Sequence, residues 1–91
     1  MNKNLSTALI EACIRLLNYM SNFIAPQPDE NSHQMMLGNI KDVAITMVAL
    51  QNDEPFMQIH PDILTEALAY ECKKQQPDPE VIIDLTLMLQ K

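Results

Sequence analysis

Two histidines, two cysteines and twelve carboxylates are the side chains of this chain that could bind a metal or move a proton. Metal ligation on a helix needs ligands on one turn, as an H-x3-H pair provides. His33 lies near Asp29 and Glu30, and His60 near Asp62, but neither grouping has that spacing. His60 directly precedes Pro61 and reads as the residue that opens a helix. Cys13 and Cys72 stand 59 residues apart with no CxxC, which excludes a zinc knuckle and a thioredoxin-like dithiol. Two buried free thiols in a reducing compartment are expected instead. For acid–base work Glu66 and Glu71 are the obvious candidates, yet an offset of five places them on different faces of a helix. Phosphate cradles need glycines so that backbone N–H groups can approach the anion, and the one glycine, Gly38, falls inside a helical pattern. No catalytic, cofactor-binding or metal-ligating residue is assigned, and neither a cofactor nor an enzymatic activity is expected.

The acids outnumber the bases twelve to six, and a formal net charge of -6 repels phosphate backbones and anionic membrane surfaces. Neither nucleic acid nor membrane is therefore expected as a partner. Half of the carboxylates sit in turns, at Asp29, Glu30, Asp53, Glu54, Asp78 and Glu80, where helix capping and solvation account for them. The opening "MNKNLSTALIEACIRLL" is interrupted by Glu11 and Arg15 and is no secretory signal. The closing apolar run is far shorter than the roughly 20 residues that a membrane span needs. A soluble cytoplasmic protein is expected.

These side chains must be positioned by elements that six prolines divide. Proline lacks the donor a helix interior needs but suits its first turn, and aspartate caps free N–H groups. The breaks "APQPDENS", "QNDEP", "HPD" and "QQPDP" leave four helical segments, about 5–24, 33–50, 61–74 and 79–90, in one helical domain spanning 1–91. In the first, Leu9, Cys13, Leu16, Met20 and Phe23 form one stripe and Ile10, Ile14, Leu17 and Ile24 a second, an arc wide enough for two neighbours and the mark of a central helix. The second opens with Asn31 and Gln34 in capping-box spacing and carries Met36, Ile40, Val43, Met47 and Leu50. Gly38 within it suggests a close helix crossing. The third begins at Pro61, or at Pro55 as a short separate turn, and ends with Lys73 and Lys74 at the negative pole of its dipole.

The last segment, "PDPEVIIDLTLMLQK", alternates Ile83, Leu85, Leu87 and Leu89 with more polar residues, the period of a strand. Its Asp78-Pro79-Glu80 start and the lack of a pairing strand favour a helix. The triplet "QPD" precedes both the second and the fourth helix, a plan of two helical hairpins. The fold class is all-α, either a small four-helix bundle or two stacked α-hairpins.

A domain of 10.4 kDa exposes about 5400 Å² when compactly folded, so its core is thin. With 47% hydrophobic residues and only four aromatics, aliphatic side chains and seven methionines must supply both the core and any binding surface. The last helix carries more apolar residues than one neighbour can cover. The expected function is a protein-binding module, adaptor- or chaperone-like, that covers an amphipathic helix of a partner in a groove between helices one and four. The candidate contacts are Ile10, Ile14, Leu17, Ile83, Leu85, Leu87 and Leu89. Size, acidity, helicity and lack of chemistry together resemble bacterial secretion chaperones, including co-chaperones of type III needle subunits; immunity proteins and phage-encoded inhibitors share that profile. The likeness is one of general character, carried by no motif. A self-assembling homodimer packed through the terminal helix is the structural alternative.

Overall fold

A computed structural model of the chain describes residues 2–22, 29–54 and 58–91. It is all-α: α1 (Lys3–Ser21), α2 (Glu30–Gln51), α3 (Pro61–Lys73) and α4 (Pro79–Leu89), with no strand among the described residues. The alternating pattern at the end of the chain is therefore helical. The expected ends of the first helix, at Phe23 and Ile24, and the separate turn at Pro55 lie outside the described residues. Among residues 58–60 there is no helical turn.

Local chemistry sets each helix start. The Asn2 side chain accepts from the N–H of Asn4 at 2.7 Å and opens α1. Pro61 and Pro79 occupy first-turn positions of α3 and α4, behind the caps His60 and Asp78. Helix α2 begins earlier than expected: Asp29, not Asn31, is its cap and accepts from the N–H of Ser32 at 2.7 Å. Gln34 makes no capping box but donates from its side chain to Glu30 Oε1 at 3.3 Å. Asp29 and Asp78, the aspartates of the two "QPD" triplets, thus do the same work.

The end of α2 is a Schellman turn, with the N–H of Glu54 donating to the Ala49 carbonyl at 3.1 Å and that of Asp53 to Leu50 at 3.2 Å. That turn needs a left-handed residue, and Asp53 supplies it at φ 52°. Gly38, by contrast, is exposed in the middle of α2, and nothing lies within 4 Å of where its Cβ would be. It marks no helix crossing among the described residues.

Helix α1 is central: it packs against α2, α3 and α4, and α3 packs in turn on α4. Arg15 meets Glu66 on α3 and Asn4 meets Asp78 at the start of α4, so α1 and α3 run antiparallel and α4 starts beside the beginning of α1. Leu9, Ala12 and Cys13 of α1, Ile63 and Ala67 of α3, and Val81 and Leu85 of α4 share one core. Cys13 is buried as expected, but Cys72 is exposed near the end of α3. Helix α2 contributes only Val43, Ala49 and Leu50 as buried residues, all in its second half. The molecule measures 42 × 30 × 22 Å and exposes 6360 Å², more than the roughly 5400 Å² of a compact chain of this mass.

Candidate binding site

The cleft of interest forms where α1, α2 and the start of α3 meet. His60 caps α3 through Nδ1, which accepts from the N–H of Asp62 at 3.1 Å, so the ring proton of its neutral form sits on Nε2. Capping turns the preceding residue inward. Ile59 and Leu64 occupy the two positions of a hydrophobic staple around that cap, and both are buried. On α2, Asn39, Asp42, Val43 and Thr46 recur at spacings of three and four and so share one face. Opposite them, Leu16 and Met20 project from the second half of α1.

Between these walls lies an open cleft of about 490 Å³ with Leu16, Met20, Val43, Ile45, Ile59 and Ile63 as its apolar lining. Asp42, Asp62 and His60 line it as well, and among the described residues neither Lys nor Arg does. Asp62 is in the first turn of α3, where its charge complements the helix dipole, and its carboxylate lies 3.6 Å from His60 Nδ1. Asp42 has no such explanation. Positions three and four residues away on either side are Gly38, Asn39, Ile45 and Thr46, so no cation stands at the spacings that pair across a helical turn, and the adjacent Lys41 does not share its face.

The polar residues that could have done chemistry serve the scaffold. Arg15 donates from Nε to Glu66 Oε1 at 3.1 Å and stacks 3.9 Å from the Tyr70 ring centroid, tying α1 to α3. Glu71 is buried at 3% exposure. Its Oε1 accepts from the N–H of Asp78 at 2.9 Å and its Oε2 pairs with Lys74 Nζ at 3.0 Å, which fastens the α3–α4 turn. His60 and Asp62 come together, but no group of three or more His, Cys, Asp or Glu is placed to hold a metal among the described residues.

The surface expected from the sequence is dispersed. Ile10 and Leu17 on α1 and Leu89 on α4 are half-buried against the core, and Ile14 is 44% exposed. Ile83 and Leu87 are 57% and 54% exposed, one turn apart on α4. Leu85 is a correction: at 0% exposure it is a centre of the core and meets no partner. The reason is angular. Val81 and Leu85 form the inward edge of α4, and residues two positions on are turned about 200° from it, so Ile83 and Leu87 face away from the core. They do not share a groove with Ile10, Ile14 and Leu17. Sequence reasoning passed over Ile45, which stands off the main stripe of α2, and Ile59, although a staple position before "HPD" was a usable signal for it.

Among the described residues no helix is long and apolar enough to cross a membrane. No protein-family model, no curated protein and no solved structure matches the chain.

Proposed function

We propose that the chain is a small acidic helical module that acts by binding another protein, in the manner of an adaptor or a chaperone, and that it covers an apolar helix of that partner in the cleft between α1, α2 and α3. The observation that carries this reading is the cleft itself: an apolar lining drawn from three elements, open to solvent, in a molecule that exposes more surface than its mass requires. A volume of about 490 Å³ admits a few large side chains, as a helix laid into a groove would supply from successive turns. The cleft replaces a groove between α1 and α4 as the docking place, because the exposed residues of α4 point elsewhere.

Light scattering after size exclusion tests the reading on the full chain and its co-purified partner. The chain alone is expected at 10.4 kDa, and the complex is expected to be lost in Ile45→Asp and kept in Leu87→Asp. A second reading rests on Ile83 and Leu87, whose exposure one turn apart suits pairing with a second copy through α4. A mass of twice the monomer that falls to the monomer in Leu87→Asp would establish it. Partner binding unchanged by Ile45→Asp would overturn the cleft reading.

A further inference from the structure

We infer that the occupant of the cleft is a cationic amphipathic helix, one whose apolar residues enter between α1 and α2 and whose Lys or Arg side chains on the flanking turns meet Asp42 and Asp62. This rests on the protein-binding reading above and adds the chemistry of the partner. Three features select that chemistry. The reachable part of the lining is apolar at Leu16, Met20 and Ile45, above a floor of buried Val43, Ile59 and Ile63, which asks for aliphatic or aromatic side chains. The charges beside it are two carboxylates, with neither Lys nor Arg among the described lining residues, so an acidic helix would be repelled and a neutral one would leave both anions without a new partner. Asp42 in particular lies in the middle of α2 with no cation three or four residues away, a placement that does nothing for its own helix. His60 is the remaining titratable group facing this rim, and its Nδ1 is already engaged as the α3 cap.

Charge also argues against the other occupants. A second copy of the chain brings a formal net charge of -6 and adds repulsion to a cleft that is already acidic. A phosphate backbone or an anionic bilayer does the same. A cationic helix is attracted by the whole molecule, so the rim aspartates set its position and the net charge hastens its arrival.

The test uses the full chain and three synthetic 16-residue amphipathic peptides that share one leucine-rich face and differ only in carrying Lys, Gln or Glu on the flanks. Methyl NMR reports occupancy at Leu16, Met20 and Ile45, and a fluorescence titration reports affinity. The Lys peptide is expected to shift those methyls, to bind more tightly than the Gln peptide, and to lose about fivefold in affinity in Asp42→Asn/Asp62→Asn or on raising the salt, as two exposed ion pairs would. Equal binding of all three peptides at the same methyls, unaffected by the double substitution, would overturn the cationic partner and leave the cleft reading standing. Shifts confined to Ile83 and Leu87, or no shifts from any peptide, would overturn both.

Discussion

Glu71→Ala should destabilise the domain by about 3 kcal/mol, and the figure can be assembled from its two contacts. The first is the hydrogen bond from the Asp78 N–H to Oε1, at 2.9 Å in a half-buried turn. A bond to a charged acceptor contributes about 1.5–3 kcal/mol, and removing the acceptor leaves the donor of the α4 cap residue without it. The second is the Lys74 contact at 3.0 Å, which is discounted because that lysine is exposed, to no more than about 1 kcal/mol. Glu71→Gln retains an oxygen for the Asp78 N–H but not the charge, so about 1–2 kcal/mol is expected. Against a total of about 5–14 kcal/mol for a chain of this length, both losses are measurable. Urea denaturation followed by circular dichroism at 222 nm supplies the numbers. Equal costs for Ala and Gln, or a cost below about 0.5 kcal/mol for Ala, would show that the carboxylate does not hold the α3–α4 turn.

The same contact gives a pH signature. The hydrogen bond to Glu71 is the largest of the influences that hold the Lys74 ammonium above its ordinary value of 10.5, so its stabilisation is complete below that pH and is lost as pH rises through the higher folded value; alkaline urea titrations should show this slope flattened in Lys74→Met. Gly38→Ala should stabilise by about 1 kcal/mol, since the added methyl meets nothing within 4 Å and removes backbone freedom from the unfolded chain. Asp53→Gly should stabilise by about 0.5 kcal/mol, because it relieves a left-handed non-glycine residue and takes an acid from the negative end of α2; a loss in either thermal melt would refute the corresponding account. Burial pushes the Cys13 thiol up to about 11, so a thiol reagent at pH 8 should titrate Cys72 alone in the native chain and both cysteines in guanidinium.

What the sequence made legible is what local chemistry decides. Proline at the first turn and a capping residue before it located the start of α4 to the residue and offered Pro61 as one of two starts for the third segment, because those interactions span only a few positions. The capping-box spacing favoured Asn31 over Asp29, two residues earlier, and was wrong because the path of the chain, not the local pattern, ranks two such candidates. The inward edge of α4 was hidden for a different reason. When Val81, Ile82, Ile83, Leu85, Leu87, Met88 and Leu89 are all apolar, the helical period leaves no contrast, and only the position of α1 and α3 selects Val81 and Leu85. Glu71 was illegible as a buried charge because its partners come from beyond its own helix, in the turn that follows. The cleft was illegible because its walls come from three segments, and a stripe such as Leu16 and Met20 looks the same whether it meets a neighbour or an open space.

The unequal anchoring of the four helices bears on how such a cleft would work. Glu30 to Asp42, the first thirteen residues of α2, contain no buried side chain, and the helix rests mainly on α1 through Val43, Ala49 and Leu50. Few buried apolar contacts mean a low free energy of local opening. The opposite wall is fixed differently, since the His60 cap and the buried Ile59 hold the entry to α3 against the core. One wall of the cleft is therefore firm and the other is weakly held. A helix seated between them would touch α2 from Asn39 to Thr46, where the unburied part of the helix meets its Val43 anchor, so part of the binding free energy would appear as order in α2. In the proposed complex Asp42, which directly precedes the Val43 anchor, would draw the unburied part of α2 toward a cationic partner, whereas a charge on the firm wall would only orient what had already bound.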